Sequence, residues 1–131
     1  EEIEVAVELI LERLERGEAS GYYFIFGEQG GRTVGYSCFG PIAGTRESFD
    51  LYWIAVEEGC RGQGHGRRLM DESETQIRAM GGRRVYVETS SREQYEPTHR
   101  FYLGCGYQVE AVLGDFYAPG DGKEILVKVL A

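Results

Sequence analysis

Arg61-Gly62-Gln63-Gly64-His65-Gly66 places three glycines within six residues, and Arg67 and Arg68 follow directly. Glycine lets a backbone approach an anion closely and turn several N–H groups on it. The run Asp50-Leu51-Tyr52-Trp53-Ile54-Ala55-Val56 precedes this turn, and Leu69-Met70 begins a helical pattern after it. Strand, glycine turn and helix in that order form a cradle for phosphate. The helix start contributes about half a positive charge, and Arg61, Arg67 and Arg68 contribute full ones. Two common phosphate loops do not fit. The dinucleotide fingerprint needs Gly-x-Gly-x-x-Gly in a first strand–helix unit, whereas Gly62-x-Gly64-x-Gly66 has the wrong last spacing. The mononucleotide loop needs Gly-Lys-Ser/Thr, which the chain lacks. The turn therefore implies a pyrophosphate-containing ligand, against the plainer alternative of a glycine turn with no ligand.

Other reactive side chains are scattered. Asp50 and Tyr52 alternate along one strand and so share a face. Glu88, on a neighbouring strand, can reach the same cleft. The plain alternatives are a polar strand-start residue for Asp50 and a surface charge for Glu88. Cys38, Cys60 and Cys105 are odd in number and lack metal-type spacing, which suits a reducing, cytoplasmic setting. Cys60 borders the glycine turn, yet no histidine base accompanies it as a nucleophile requires. His65 lies inside the turn and His99 far along the chain, and neither has a ligand-like partner, so no metal is expected.

Elements must position these groups. The 131 residues suit a single domain, 1–131. With 42 % apolar and 27 % charged residues the composition is that of an ordinary globular protein. No apolar run is long enough to span a bilayer and no signal pattern is present. The chain opens on Glu1 rather than Met, as a piece of something longer would. A net charge of −8 argues against nucleic acid as partner. It favours a cationic co-substrate such as an amine, unless it serves solubility alone.

Apolar positions from Ile3 to Leu14, with a stop at Gly17, predict a first helix over 3–16. Tyr22–Phe26 and Arg32–Phe39 predict a hairpin around Gly30-Gly31. Phe49–Val56 is almost continuously apolar, which predicts a central strand buried on both faces. After the glycine turn a helix is expected over 65–80, ended by Gly81-Gly82. Arg84–Thr89 predicts a strand with Val85 and Val87 on one face. Pro97 starts a short helix carrying Phe101 and Tyr102 and ending at Gly104 or Gly106. Strands follow over Tyr107–Leu113 and Lys123–Leu130, with a turn-rich loop over 115–123 between them. This order predicts an α/β (α+β) fold. Its mixed sheet has one strand–helix–strand crossover, and the ligand sits at the C-terminal end of the central strand.

Arg61-x-x-Gly64-x-Gly66 resembles the acetyl-CoA pyrophosphate turn of the GNAT N-acetyltransferase superfamily, with Val56 five residues before it. Phe101-Tyr102-Leu103-Gly104-Cys105-Gly106-Tyr107 resembles the late helix of the same family. The resemblance spans about residues 20–130. It implies a GNAT-like, mostly antiparallel sheet and an acetyl-CoA-dependent N-acetyltransferase acting by direct transfer to a primary amine.

Position by position, it implies that Gly62, Gly64 and Gly66, with Gln63 and His65, offer main-chain N–H groups to the CoA pyrophosphate. Arg61 shapes the turn or touches phosphate, and Arg67 helps neutralise it. Ile54, Ala55 and Val56 lie along the pantetheine arm. Val56 pairs with that arm like an added strand, and Ile54 polarises the acetyl carbonyl, an oxyanion-type role. Tyr102 protonates the departing thiolate; read from the residues alone, it serves equally well as a core aromatic.

The family often has an arm-binding Asn where this chain has Tyr95, so Ser90, Ser91 or a main-chain group is expected to substitute. The family's usual first strand and helix are expected to be missing or shortened. Asp50 or Glu88 is the expected base for the acceptor amine, and exposed sheet edges in this fold pair in homodimers. A non-catalytic acyl-CoA sensor domain and a nucleotide-binding domain are the competing readings.

Overall fold

The computed structural model describes residues 10, 11 and 13–130. Most of the helix expected over 3–16 lies outside them, as does any missing first strand; residues 10, 11 and 13–16 are helical. Six strands follow: β1 (Tyr23–Gln29), β2 (Arg32–Pro41), β3 (Ser48–Val56), β4 (Arg84–Ser90), β5 (Gln108–Ala118) and β6 (Asp121–Val129). Helix α1 (His65–Ala79) joins β3 to β4, and α2 (Glu96–Gly104) lies between β4 and β5. The sheet order is β1-β2-β3-β4-β6-β5, and only the β3–β4 pair is parallel. A parallel pair needs a crossover, and α1 is that crossover.

The helices form where apolar spacing and stop signals agree. In α1 the residues Leu69, Met70, Ser73 and Ile77 make one buried stripe. Its buried hydroxyl is satisfied twice, since Ser73 Oγ donates to Leu69 O (2.7 Å) and meets Ser37 Oγ (2.7 Å). Both helices stop in the same way. After α1, Gly81 takes φ +89°, its N–H donates to Arg78 O, and Gly82 N–H donates to Ile77 O. After α2, Gly106 takes φ +94°, its N–H donates to Leu103 O, and Tyr107 N–H donates to Tyr102 O. A left-handed glycine followed by this pair of bonds captures the last carbonyls, and an apolar contact between the flanking residues usually accompanies it. Here that contact is Tyr102 on Tyr107, ring centroids 6.0 Å apart. The way α2 ends thus fixes the tyrosine singled out for chemistry.

Two expectations need correction. Strand β3 is central, but it is not buried on both faces throughout. Phe49 and Leu51 are buried, Tyr52 is exposed, and Ile54 to Val56 are half-buried. The cause is the pairing. β3 bonds β4 only over Ser48–Asp50 against Arg84–Tyr86, and beyond that the strands part. A bulge adds to this: Phe39 faces Leu51 and Cys38 faces Trp53, which leaves Tyr52 without a partner and turns the strand.

The second correction concerns the loop expected over 115–123. β5 continues to Ala118, and Pro119-Gly120 alone makes the turn. Pro119 presets one φ and Gly120 adopts +79°, while Asp115 Oδ1 accepts from Gly120 N–H at 2.8 Å. The core lies where α1 and α2 meet the sheet, around Phe39, Phe49, Ile77, Val87, Tyr107 and Leu126.

Candidate active site

Where β3 and β4 part, a cavity of about 1320 Å³ opens. The catalytic and cofactor-binding residues expected from the sequence line it, Gln63 excepted, whereas Arg68 and Ser91 do not. The Gln63 side chain turns away and accepts a hydrogen bond from Gln29 at the β1–β2 tip (3.0 Å).

At one end lies the glycine turn. Gly62 and Gly64 have φ of +78° and +84°, which side chains rarely tolerate, and a Cβ on either meets nothing within 4 Å. Gly64 is the N-cap of α1 and supplies no side-chain acceptor. The first N–H groups of a 15-residue helix therefore point outward without a side-chain cap. Gly66 serves a different purpose as well. A Cβ there comes within 3.2 Å of Phe101 Cε1, so the glycine lets α2 lie close to α1.

The arginines are engaged with backbone. Arg61 Nε donates to Val56 O at 3.2 Å and ties the turn to the end of β3. Arg67 Nη1 donates to Gly104 O at 3.0 Å, which holds the C-terminus of α2 against α1. His65 is buried, and its Nε2 has no partner among the described residues. Cys60 is buried as well, at the edge of the cavity, with Arg32 Nη2 at 4.0 Å from its sulfur.

Tyr102 is 7 % exposed and faces the cavity. Its hydroxyl has no hydrogen-bond partner among the described residues. Burial, with a smaller effect from the nearby Cys105 thiol, pushes the phenol up to about 12. It is therefore neutral and carries its proton throughout the physiological range.

Three carboxylates line the cavity, Asp50, Glu88 and Asp121, and the last is engaged by Ser90 and Arg92. Asp50 forms no ion pair or hydrogen bond with described residues. Burial, and then the negative charge of Glu88, holds its carboxyl above the usual range, while Lys123 pulls the other way. Glu88 is half exposed and paired with Lys123 Nζ at 2.9 Å. The aromatic side chains of Tyr52, Tyr86 and Tyr117 complete this wall.

Ser90 and Ser91 each take part in local hydrogen bonds beside the cavity. The Ser90 hydroxyl donates to Asp121 Oδ1 and accepts from Arg92 N–H at 3.1 Å. Ser91 Oγ accepts from Gly122 N–H at 2.9 Å. Tyr95, in the place of the missing Asn, lines the cavity. Sequence reasoning gave Lys123 no role, placing it where a turn-rich loop meets the last strand, whereas its side chain is 16 % exposed. Recognising Pro119-Gly120 as the whole turn places Lys123 inside a strand, opposite Ser90.

Comparison with known proteins agrees with this geometry. The model of the acetyltransferase (GNAT) family matches residues 2–107. A crystal structure of a GNAT-family protein from Desulfovibrio desulfuricans superposes with TM-score 0.96 at 43 % identity, over 98 % of this chain and 80 % of that one. An aminoglycoside 6'-N-acetyltransferase complexed with coenzyme A shares the fold (TM-score 0.75, 20 % identity, 94 % of this chain and 88 % of that one). So does a ribosomal-protein-alanine N-acetyltransferase from Brucella melitensis (TM-score 0.77, 22 % identity, 94 % and 78 %). No curated protein matches the chain at a significant level.

The chain belongs to the GNAT acetyltransferase family. It is an acyltransferase, and acetyl-CoA is its co-substrate. Among the described residues no helix is long and apolar enough to cross a membrane, and no group of three His, Cys, Asp or Glu is placed to hold a metal ion.

Proposed function

We propose that the chain transfers the acetyl group of acetyl-CoA directly to a primary amine, with Tyr102 and Asp50 as its catalytic residues. One observation carries this reading. A single cavity joins an uncapped, glycine-lined helix start, a buried tyrosine with an unengaged hydroxyl, and an unpaired carboxylate. The residues suit acetyl-CoA. The open space over Gly62 and Gly64 leaves room for pyrophosphate against the α1 N–H groups. The parted edge of β3 leaves main-chain groups of Ile54 to Val56 for an extended arm. Tyr95 lies on the same wall.

The chemistry then balances. Asp50 takes a proton from the ammonium, directly or through water, and the free amine attacks the thioester carbon. The carbonyl oxygen gains charge beside the main chain of Ile54, where fixed dipoles stabilise it. The C–S bond breaks as the N–C bond completes, and the Tyr102 proton goes to sulfur. The second proton of the attacking nitrogen passes through water to the phenolate, neutral amide and free thiol leave, and Asp50 gives its proton to solvent. Glu88, paired with Lys123, contributes charge to the acceptor wall. The carboxylates and three tyrosines favour a cationic amine over an anionic acceptor. Three free cysteines suit a cytoplasmic setting.

The test is free-thiol release from acetyl-CoA with a panel comprising a simple monoamine, a diamine, a peptide with a free N-terminus and a peptide with a lysine side chain. Release that depends on one of these supports the reading. Saturable acetyl-CoA binding with no release across the panel overturns it in favour of a sensor domain.

Asp50→Asn separates chemistry from stability. Loss of a general base is expected to lower turnover by about 10²-fold. The stability effect has the opposite sign. The folded Asp50 carboxyl titrates above its unfolded value. The stability that protonation adds is present in full below the unfolded value and is lost as pH rises through the folded one. At pH 7 the folded protein thus carries a charge it disfavours. The variant is expected to melt higher than wild type at pH 7, with the gap closing below about pH 4. Paired thermal melts at the two pH values check this.

A further inference from the structure

We propose that Lys123 is a positioning residue of acetyl transfer: its ammonium ties Glu88 to β6 and leaves Asp50 as the one carboxylate that meets the amine. The inference rests on the reading of Asp50 as base. Its grounds are geometric. Lys123 Nζ lies 2.9 Å from Glu88 Oε1 and 4.5 Å from the centroid of the Phe116 ring. The ring, on the neighbouring strand β5, covers the ammonium, and the Lys123 side chain is largely withdrawn from solvent. An ammonium held between a carboxylate and an aromatic face is fixed in position rather than sampling the surface. Glu88 Oε1, on β4, is thereby engaged, and taking up the amine proton would cost Glu88 the charge that pairs with Lys123.

The consequence concerns Asp50. The titratable groups around it are Tyr52 on its own strand, Tyr86, its register partner, and Glu88 on β4, and Lys123 on β6. Glu88 and Lys123 are the charged neighbours, and they act on Asp50 in opposite directions. Without Lys123 the Glu88 charge acts alone and holds the proton on Asp50 to higher pH, where a base is lost. With Lys123 in place Asp50 stays ionised and available at lower pH.

The experiment is NMR titration of the full chain labelled with [13Cγ]aspartate, with Asp50→Asn assigning the resonance. Removing the ammonium in Lys123→Met is expected to move the Asp50 midpoint to higher pH, and Lys123→Arg to return it toward wild type. The acid limb of kcat/KM, measured with whichever panel amine releases thiol, should move the same way, with acetyl-CoA affinity unchanged. Should Met disturb the hairpin, Lys123→Gln gives the same readout. An unchanged Asp50 midpoint in the charge-removing variants overturns the role of Lys123. If Asp50→Asn transfers acetyl as fast as wild type, the reading of Asp50 as base fails, whatever the Lys123 variants show.

Discussion

Tyr102→Phe is expected to lower kcat by about 10²- to 10⁴-fold, the usual contribution of a positioned acid, while the Kd for acetyl-CoA changes little. The substitution removes one oxygen and keeps the ring. The ring contacts with Phe101 and Tyr107 persist, and no hydrogen bond to described residues is lost. A structural role for Tyr102 therefore predicts near-normal turnover, and a chemical role predicts the loss. Single-turnover thiol release, set against acetyl-CoA binding by calorimetry, separates the two. Unchanged turnover removes Tyr102 from the mechanism.

The raised phenol value refines the role of Tyr102. A group near 12 is a weaker acid than free tyrosine, so it does not protonate the intact thioester. As the acid of the proposed mechanism it would give its proton only as charge collects on the departing sulfur. The same value has a consequence for pH. The phenol loses its proton only as pH rises toward 12, so any decline in rate on the alkaline side at lower pH has another source.

Gly64→Ala is expected to weaken acetyl-CoA binding by about tenfold. Gly64 sits at φ +84°, and a side chain in that region costs about 1–2 kcal/mol. The variant turn shifts toward other conformers, and apparent affinity falls with the share of turns still able to bind. The new methyl meets no protein atom, so the loss is not one of packing. Its methyl projects into the open space over the turn. Titration with CoA and with acetyl-CoA should show equal losses, because the acetyl group lies at the other end of the cavity. Wild-type affinity in this variant removes the glycine turn from cofactor binding. Gly66→Ala is a different perturbation, since its Cβ presses on Phe101.

Much of this was legible because each signal was local. The glycine turn, the helix over 65–80 and its Gly81-Gly82 stop depend on residues next to one another, and the structure reproduces them within a residue or so. Alternation placed Val85 and Val87 inward correctly. What depended on partners was not legible. The apolar run over β3 gave no sign that β4 leaves it after three residue pairs, and that parting makes the cavity. The bonds that Ser90 and Ser91 make to Asp121 and Gly122, 31 residues away, were likewise not visible in sequence. Lys123 was hidden by an overlong loop estimate, because Asp115 and Gly120 resemble loop residues even where the strand persists.

The missing side-chain cap on α1 has a further meaning. Most helices carry their own acceptor at the start, through Ser, Thr, Asp or Asn. α1 carries Gly64 there and so defers that stabilisation to whatever anion arrives. Stability then becomes a property of the solution as well as of the chain, rising by RT ln(1 + [L]/Kd) with free ligand. At about one hundred times Kd this amounts to about 2.7 kcal/mol. α1 also supplies Met70 and Ile77 to the core, so a gain at its first turn is felt by the whole fold. On the proposed cofactor reading, the melting temperature is expected to rise with free coenzyme A.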